Sequence, residues 1–251
     1  MATIETVLQG FSVATDQGSL GFCGVTLIRG TKTILVDAAH VGRRQLLLNR
    51  FKEMGIAPSD VDYVFLTHAH WDHSLNIDVF PRAKVLIHPA EREYCKQPRA
   101  SDWATPLWVS QMLESSQLQE VKDGEEIDDG VTVISTPGHS KGSMGLLVRD
   151  AQGTIAVSGD ALSTALSVST GLPRLAFWDL EEAKQSIRRL LDRAQVFYPG
   201  HDRPFRNDGG KITYLQPTSL HIFGLPAAGE GEGGVGFSYG LEPAYQTGVF
   251  T

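Results

Sequence analysis

Residues 67–73 read Thr67-His68-Ala69-His70-Trp71-Asp72-His73. Three imidazoles and a carboxylate within six residues are the donors that zinc and the neighbouring first-row metals take. The segment directly follows a short β-rich run over 63–66. Alternate residues of an extended chain share a face, so His68 and His70 can reach one metal. Asp72 and His73, past a bend, can reach a second. Three later motifs carry the same donor types. Thr136-Pro137-Gly138-His139-Ser140 follows the run Val131–Ser135. Ser158-Gly159-Asp160 follows 154–157, and Tyr198-Pro199-Gly200-His201-Asp202 follows 196–197. Each places a His or Asp beside a glycine that permits a tight turn. Loops at strand ends are where a rigid scaffold presents reactive groups. A lone histidine at a strand end is ordinary, whereas four such motifs in order describe one metal site.

The elements that must position these residues are of mixed α/β character. Val25–Arg29 and 33–37 read as strands joined by the turn Arg29-Gly30-Thr31-Lys32. Residues 42–54 read as a helix, with Leu46, Leu47, Phe51 and Met54 at helical spacing and Gly55 as its stop. Lys84–Ile87 is a strand. Residues 89–120 hold Cys95, Pro98, Trp103, Pro106, Trp108 and Met112 and predict one or two helices with a connecting loop. Val131–Ser135, 145–148 and 154–158 are strands. Residues 179–194 form a helix with Asp179 as N-cap, Glu182 three residues on, and Ala183, Ile187, Leu190 and Leu191 as its apolar stripe. Residues 196–198 are the last clear strand. Asn207-Asp208-Gly209-Gly210 is a turn, and the chain is expected to loosen from there.

The chain has 251 residues, of which 41% are hydrophobic and 20% charged, the composition of a soluble globular protein. The expected organisation is a catalytic domain over 1–210 and a C-terminal arm over 211–251, part of the same domain or a dimer contact. A net charge of −7 argues against an electrostatic grip on nucleic acid. No apolar run approaches the roughly 18 residues of a membrane span. The first residues show neither a basic patch nor an apolar stretch, and Cys23 and Cys95 are too few for a disulfide framework. A cytoplasmic location is expected.

Taken together, Asp37 closing a strand, then His68, His70, Asp72 and His73, then His139, Asp160 and His201, resemble the metallo-β-lactamase-fold hydrolase superfamily over about residues 20–206. The resemblance implies a four-layer αβ/βα sandwich with a two-metal site along one edge of its sheets. It implies that His68, His70 and His139 hold the first metal, and that Asp72, His73 and His201 hold the second. Asp160 would bridge the two and Asp37 would orient ligands from behind. Two zinc ions per chain are expected, with iron or manganese as the alternatives. The implied chemistry is attack of a metal-held hydroxide on a carbonyl carbon, with Asp72 carrying the proton to the leaving group.

Asp160 stands where class B β-lactamases commonly carry another residue type, which disfavours that activity. His70 disfavours the flavodiiron group, and the superfamily's nucleases, which carry an extra domain, are not expected at 251 residues. The compact group remains: lactonases, glyoxalase II-like thioesterases and persulfide dioxygenase-like enzymes. Ser74-Leu75-Asn76 departs from the two glycines of glyoxalase II, and Ser163 stands where lactonases often carry Tyr. Residues 158–161 resemble the mononuclear iron persulfide dioxygenases. With every ligand position filled, hydrolysis of a small lactone, ester or related acyl substrate at two metals is the favoured expectation. A nuclease or a non-catalytic scaffold is disfavoured.

Other residues are weighed against structural roles. His40, His88 and His221 are read as structural. Trp71 and Phe177 are expected to wall the substrate pocket, ahead of Trp103, Trp108 and Trp178. Arg99, Arg174 and Arg203 are read as solvated, with pairing to an acidic substrate as the alternative. The arm over 217–251 carries Ile222, Phe223, Leu225, Phe237, Tyr239, Tyr245, Val249 and Phe250 among glycines. So much apolar surface in a chain too glycine-rich to make its own core is expected to dock, and a homodimer is the expected assembly.

Overall fold

Val25–Arg29, Thr33–Val36 and Lys84–Ile87 are near-continuous aliphatic runs, the pattern of strands covered on both faces. In the computed structural model, which describes residues 2–15, 18–151, 153–221 and 248–249, they are the centre of one of two facing sheets. Among the described residues the first sheet has six strands. In spatial order they are Thr3–Leu8, Val25–Arg29, Thr33–Val36, Tyr63–Phe65, Lys84–Ile87 and Leu118–Glu120. The second has seven, in the order Lys211–Tyr214, Phe205–Asp208, Val196–Pro199, Gly153–Gly159, Met144–Asp150, Val131–Ser135 and Glu126–Asp128.

Side-chain alternation sorts the core into layers. Ile28, Ile34, Val36, Phe65 and Leu86 of the first sheet meet Val131, Val133, Met144, Leu146 and Val157 of the second. Their strand neighbours Leu27, Leu35, Val64 and Val85 point the other way, onto Leu47 and Phe51 of the helix Arg44–Glu53. On the far side Ile134, Ala156, Phe197 and Phe205 pack under Leu190 of the helix Leu180–Leu191. The result is helix, sheet, sheet, helix, the expected four-layer αβ/βα sandwich.

The parallel strands set where the motifs emerge. Val36 pairs with Phe65, so the residues after both strands leave the sheet at one edge. Gly159 pairs with Pro199, which brings Asp160 beside His201. Ser135 pairs with Met144 at the mouth of the hairpin that carries His139. Met144 N donates to Thr67 O at 2.9 Å and ties that hairpin to the first sheet.

The structure departs from the expected elements in several places. The helix over 42–54 is a 3-10 turn Val41–Arg43 followed by Arg44–Glu53, and Leu46 lies in solvent while Leu47 and Phe51 are buried. Residues 89–120 hold the helices Pro89–Tyr94 and Val109–Glu114, and also the edge strand Leu118–Glu120. The turn at Asn207 is present, with Gly210 N donating to Asn207 Oδ1 at 2.7 Å. The chain does not loosen there, because the turn joins Phe205–Asp208 to Lys211–Tyr214 and Phe205 is fully buried. The expected boundary at 210 falls inside this hairpin. Most of the arm, 222–247 and 250–251, lies outside the described residues; Gly248–Val249 pairs with Leu175–Ala176. Among the described residues no helix is long and apolar enough to cross a membrane.

Candidate metal centre

After Tyr63–Phe65 the chain bends at Thr67 and, past His70, enters the short helix Trp71–Ser74. His68 Nε2 and His139 Nε2 each lie 3.0 Å from His70 Nδ1, so three imidazole nitrogens meet at one point. The bend into the helix turns Asp72 and His73 to a second point. There His201 Nε2 is 3.3 Å and His73 Nε2 3.8 Å from Asp72 Oδ2. Asp160 lies between the two points. Its Oδ1 is 3.5 Å from His73 Nε2, and its Oδ2 is 3.2 Å from His201 Nε2 and 3.5 Å from His139 Nε2. Three groups have ligand atoms within 4.8 Å of one another: His68, His70 and His139; His68, His73 and Asp160; Asp72, His73 and His201. All seven side chains are buried.

Four of these imidazoles are oriented from behind. His68 Nδ1 faces Thr67 Oγ1 at 3.0 Å, His73 Nδ1 faces Asp37 Oδ2 at 2.7 Å, His139 Nδ1 faces Leu175 O at 3.0 Å, and His201 Nδ1 faces Phe11 O at 3.4 Å. Each partner can accept a proton from Nδ1, which selects the tautomer with a bare Nε2 aimed into the centre. Asp37 reaches this position because its backbone is left-handed, at φ 60°, directly after the strand Thr33–Val36. Such a φ is uncommon for a residue with a Cβ, and here it turns the carboxylate toward Thr67 and His73.

The donor set fits cations. His73 Nε2 and Asp160 Oδ1 are buried and make no hydrogen bond, although they face each other at 3.5 Å, an arrangement that a water or an ion between them would satisfy. Burial, and then the imidazoles around it, hold His68 well below the ordinary histidine value. Burial brings His139 down to about 4 against the pull of Asp160. Both are therefore neutral, the ligating form. Burial also opposes the charge on His73, but Asp37, Asp72 and Asp160 outweigh it and raise that imidazole to about 10. Burial opposes ionisation of Asp160 too, yet His201, His73 and His139 hold its carboxyl well below the usual range. A cation at these clusters would take the place of the proton on His73.

Two glycines let the loops close. Gly138 has φ 125°, and a Cβ there would collide with the backbone of Ala183. Gly138 O accepts from Trp178 N and Asp179 N, and His139 O accepts from Phe177 N, which stitches the segment 175–179 to the His139 loop. A Cβ on Gly200 would run into the Asp160 carboxylate.

A cavity opens at the clusters, and Trp71, Trp103, Arg174, Leu175 and Phe177 line it beside the candidate ligands. Phe177 is only 1% exposed and its ring is T-shaped to those of His70, His139 and Trp103, with centroids 5.0, 5.4 and 5.5 Å apart. Trp103 is 51% exposed. Trp178 instead lies under Arg99, 3.9 Å from the guanidinium carbon, and is no part of the lining. Arg203 stacks on Tyr214 and donates to Gln216 O, so neither Arg99 nor Arg203 is simply solvated. His40 accepts from Gly42 N and abuts Trp71, while His88 accepts from Ala90 N and caps the helix Pro89–Tyr94. Cys23 and Cys95 are buried, and burial pushes both thiols up.

Two buried carboxylates were not singled out from the sequence. Glu91 accepts from Ala69 N, Ser140 Oγ and Gly142 N, at 3.0, 2.5 and 2.8 Å, and so clamps the first histidine loop to the His139 loop. Asp102 faces His70. Glu91 leaves no pattern in the sequence, whereas Asp102 with Thr105 three residues on has the form of a side chain that caps its own loop.

Comparison with known proteins agrees with this geometry. The model of the metallo-beta-lactamase superfamily matches residues 18–201. The chain is 31% identical over 206 residues to metallo-beta-lactamase domain-containing protein 1 of Xenopus laevis, covering 81% of each. It is 28% identical over 156 residues to the N-acyl homoserine lactonase of Bacillus cereus, covering 60% of each. A solved N-acyl homoserine lactone hydrolase, with N-hexanoyl-L-homoserine at its catalytic metal center, superposes with a TM-score of 0.62 at 21% identity, over 80% of this chain and 92% of that one.

Proposed function

The chain belongs to the metallo-beta-lactamase superfamily, and from that premise we propose that it is a di-zinc hydrolase that opens a small lactone or cleaves a related ester. The observation that supports this most strongly is the meeting of seven His and Asp donors at one sheet edge, beneath a cavity with aromatic walls. The likeness to N-acyl homoserine lactonases supports a cyclic acyl substrate.

In this reading His68, His70 and His139 would hold the first zinc, Asp72, His73 and His201 would hold the second, and Asp160 would serve both. When bound, the ions would supply a reactive water and a Lewis acid for the carbonyl oxygen. The protein residues do the rest. Asp37, Thr67, Leu175 and Phe11 hold four imidazoles in orientation. Asp72 lines the cavity and is placed to take the proton of the attacking water and deliver it to the leaving oxygen. Trp71 and Phe177 wall off bulk water and receive the apolar part of the substrate. A small-molecule substrate, a cytoplasmic location and a homodimer built through residues 211–251 complete the proposal. Sizing of a chain ended after Gln216 tests the dimer, which should become monomeric.

The test of function is a panel of lactones, aryl esters, thioesters and phosphodiesters offered to the purified protein. Lactones or esters should turn over fastest. Preferred cleavage of phosphodiesters, or oxygen uptake with persulfides at one iron per chain, would contradict it.

A further inference from the structure

Among the donors of the centre, His70 differs in which nitrogen it presents. It turns Nδ1 inward, whereas His68, His73, His139 and His201 turn Nε2 inward. Those four each have an outer nitrogen on a defined acceptor. The outer nitrogen of His70, Nε2, is buried without a hydrogen bond, and it lies 3.4 Å from Asp102 Oδ1.

Asp102 is itself fully enclosed, its side chain 0% exposed. Oδ1 accepts from Ala104 N at 3.0 Å and Thr105 N at 3.1 Å, and Oδ2 accepts from Tyr94 Oη and Thr105 Oγ1, both at 2.8 Å. Four donors already engage the carboxylate, so the approach of His70 is long and works by charge more than by a short hydrogen bond. These bonds fold residues 102–105 into a turn whose Ala104 O accepts from Trp71 N at 3.0 Å. The same turn sets Trp103 against Phe177.

We propose that Asp102 is a positioning residue for the metal centre. Its charge selects the Nε2–H tautomer of His70 and leaves Nδ1 bare for the first metal, while its hydrogen bonds hold the turn that carries Trp103 over the cavity. The proposal rests on the reading of His70 as a ligand. Its two parts separate by substitution. Asp102→Asn keeps an acceptor for the two backbone N–H groups and a polar group for the two hydroxyls, so the turn survives without the charge. Asp102→Ala removes both.

The test uses the full chain. In metal-free protein, nitrogen-15 shifts of His70 should show Nε2 protonated in the wild type, and Asp102→Asn should raise the Nδ1–H form. In the same variant zinc affinity, measured by competition with a chelator, should fall by about 10- to 100-fold. The visible spectrum of the cobalt-loaded protein should change, while melting of the metal-free protein stays near that of the wild type. Asp102→Ala should lose affinity and also melt earlier. Unchanged histidine shifts and zinc affinity in Asp102→Asn would overturn the proposal. Wild-type protein that takes up neither zinc nor cobalt would instead contradict the reading of His70 as a ligand, and the tautomer measurement would still decide whether Asp102 orients it.

Discussion

Asp37 Oδ2 lies 2.7 Å from His73 Nδ1, and the same carboxylate accepts the Thr67 amide at 2.8 Å and the Thr67 hydroxyl at 2.9 Å. Because Thr67 Oγ1 in turn faces His68 Nδ1, one carboxylate orients an imidazole in each ligand cluster. Removing it should therefore weaken both metals together. Asp37→Asn tolerates the left-handed backbone as well as Asp does. It is expected to lower zinc affinity by about 10- to 100-fold at each site. Chelator competition that shows two weakened sites supports this; one unchanged site would place Asp37 behind a single metal only.

Asp160 and Asp72 should differ in what the loss of their charge does, since Asp160 meets donors of both clusters and Asp72 those of one. Asp160 touches donors of both clusters, so Asp160→Asn should bring metal content toward one per chain. Asp72→Asn should cost turnover by about 10²- to 10⁴-fold, the usual contribution of a positioned acid–base group. Turnover near that of the wild type in Asp72→Asn would remove it from the proton path.

The two aromatic walls should respond differently. Trp71 is partly exposed at the cavity mouth, and Trp71→Ala should raise KM for apolar substrates more than it lowers kcat. Phe177 is buried against two candidate ligands, so Phe177→Ala also opens a void and should destabilise the fold by about 3–5 kcal/mol. Denaturant midpoints beside steady-state kinetics check both. A Phe177 variant of full stability would show that its ring serves the cavity alone.

Metal binding should be coupled to protons through His73. Its folded value, about 10, lies above the ordinary 6.5, so in metal-free protein its charge contributes stability that is complete below about pH 6.5. That contribution is lost as pH rises through about 10. A zinc ion on Nε2 displaces this proton, so binding at pH 8 should release protons and the gain in melting temperature on adding zinc should grow from pH 7 to 10. Calorimetry in buffers of different ionisation enthalpy reads the release directly. A binding enthalpy independent of buffer would show that His73 is already neutral.

What could be read from the sequence followed the local signals. The four donor motifs were visible because each pairs a ligand type with a strand end. The helix Leu180–Leu191 was visible because Asp179, whose side chain accepts from Glu182 N, marks its start. The edge strands Leu118–Glu120 and Glu126–Asp128 were not, since three residues give no period to count. The hairpin ending at Tyr214 was hidden behind the glycines of its own turn. Glu91 and Asp102 were missed for a deeper reason. Their partners, Ser140 and Gly142 for one and His70 for the other, lie far along the chain, and only the closed fold brings them together.

The central claim is that these seven residues hold two ions that the hydrolysis requires. The most direct measurement is the metal content of freshly purified protein, taken together with lactone turnover before chelation, after it, and after zinc is restored. Two zinc equivalents per chain, loss of turnover on chelation and recovery with zinc are the predicted result. Protein that carries no transition metal, or turnover that survives its removal, would contradict the account.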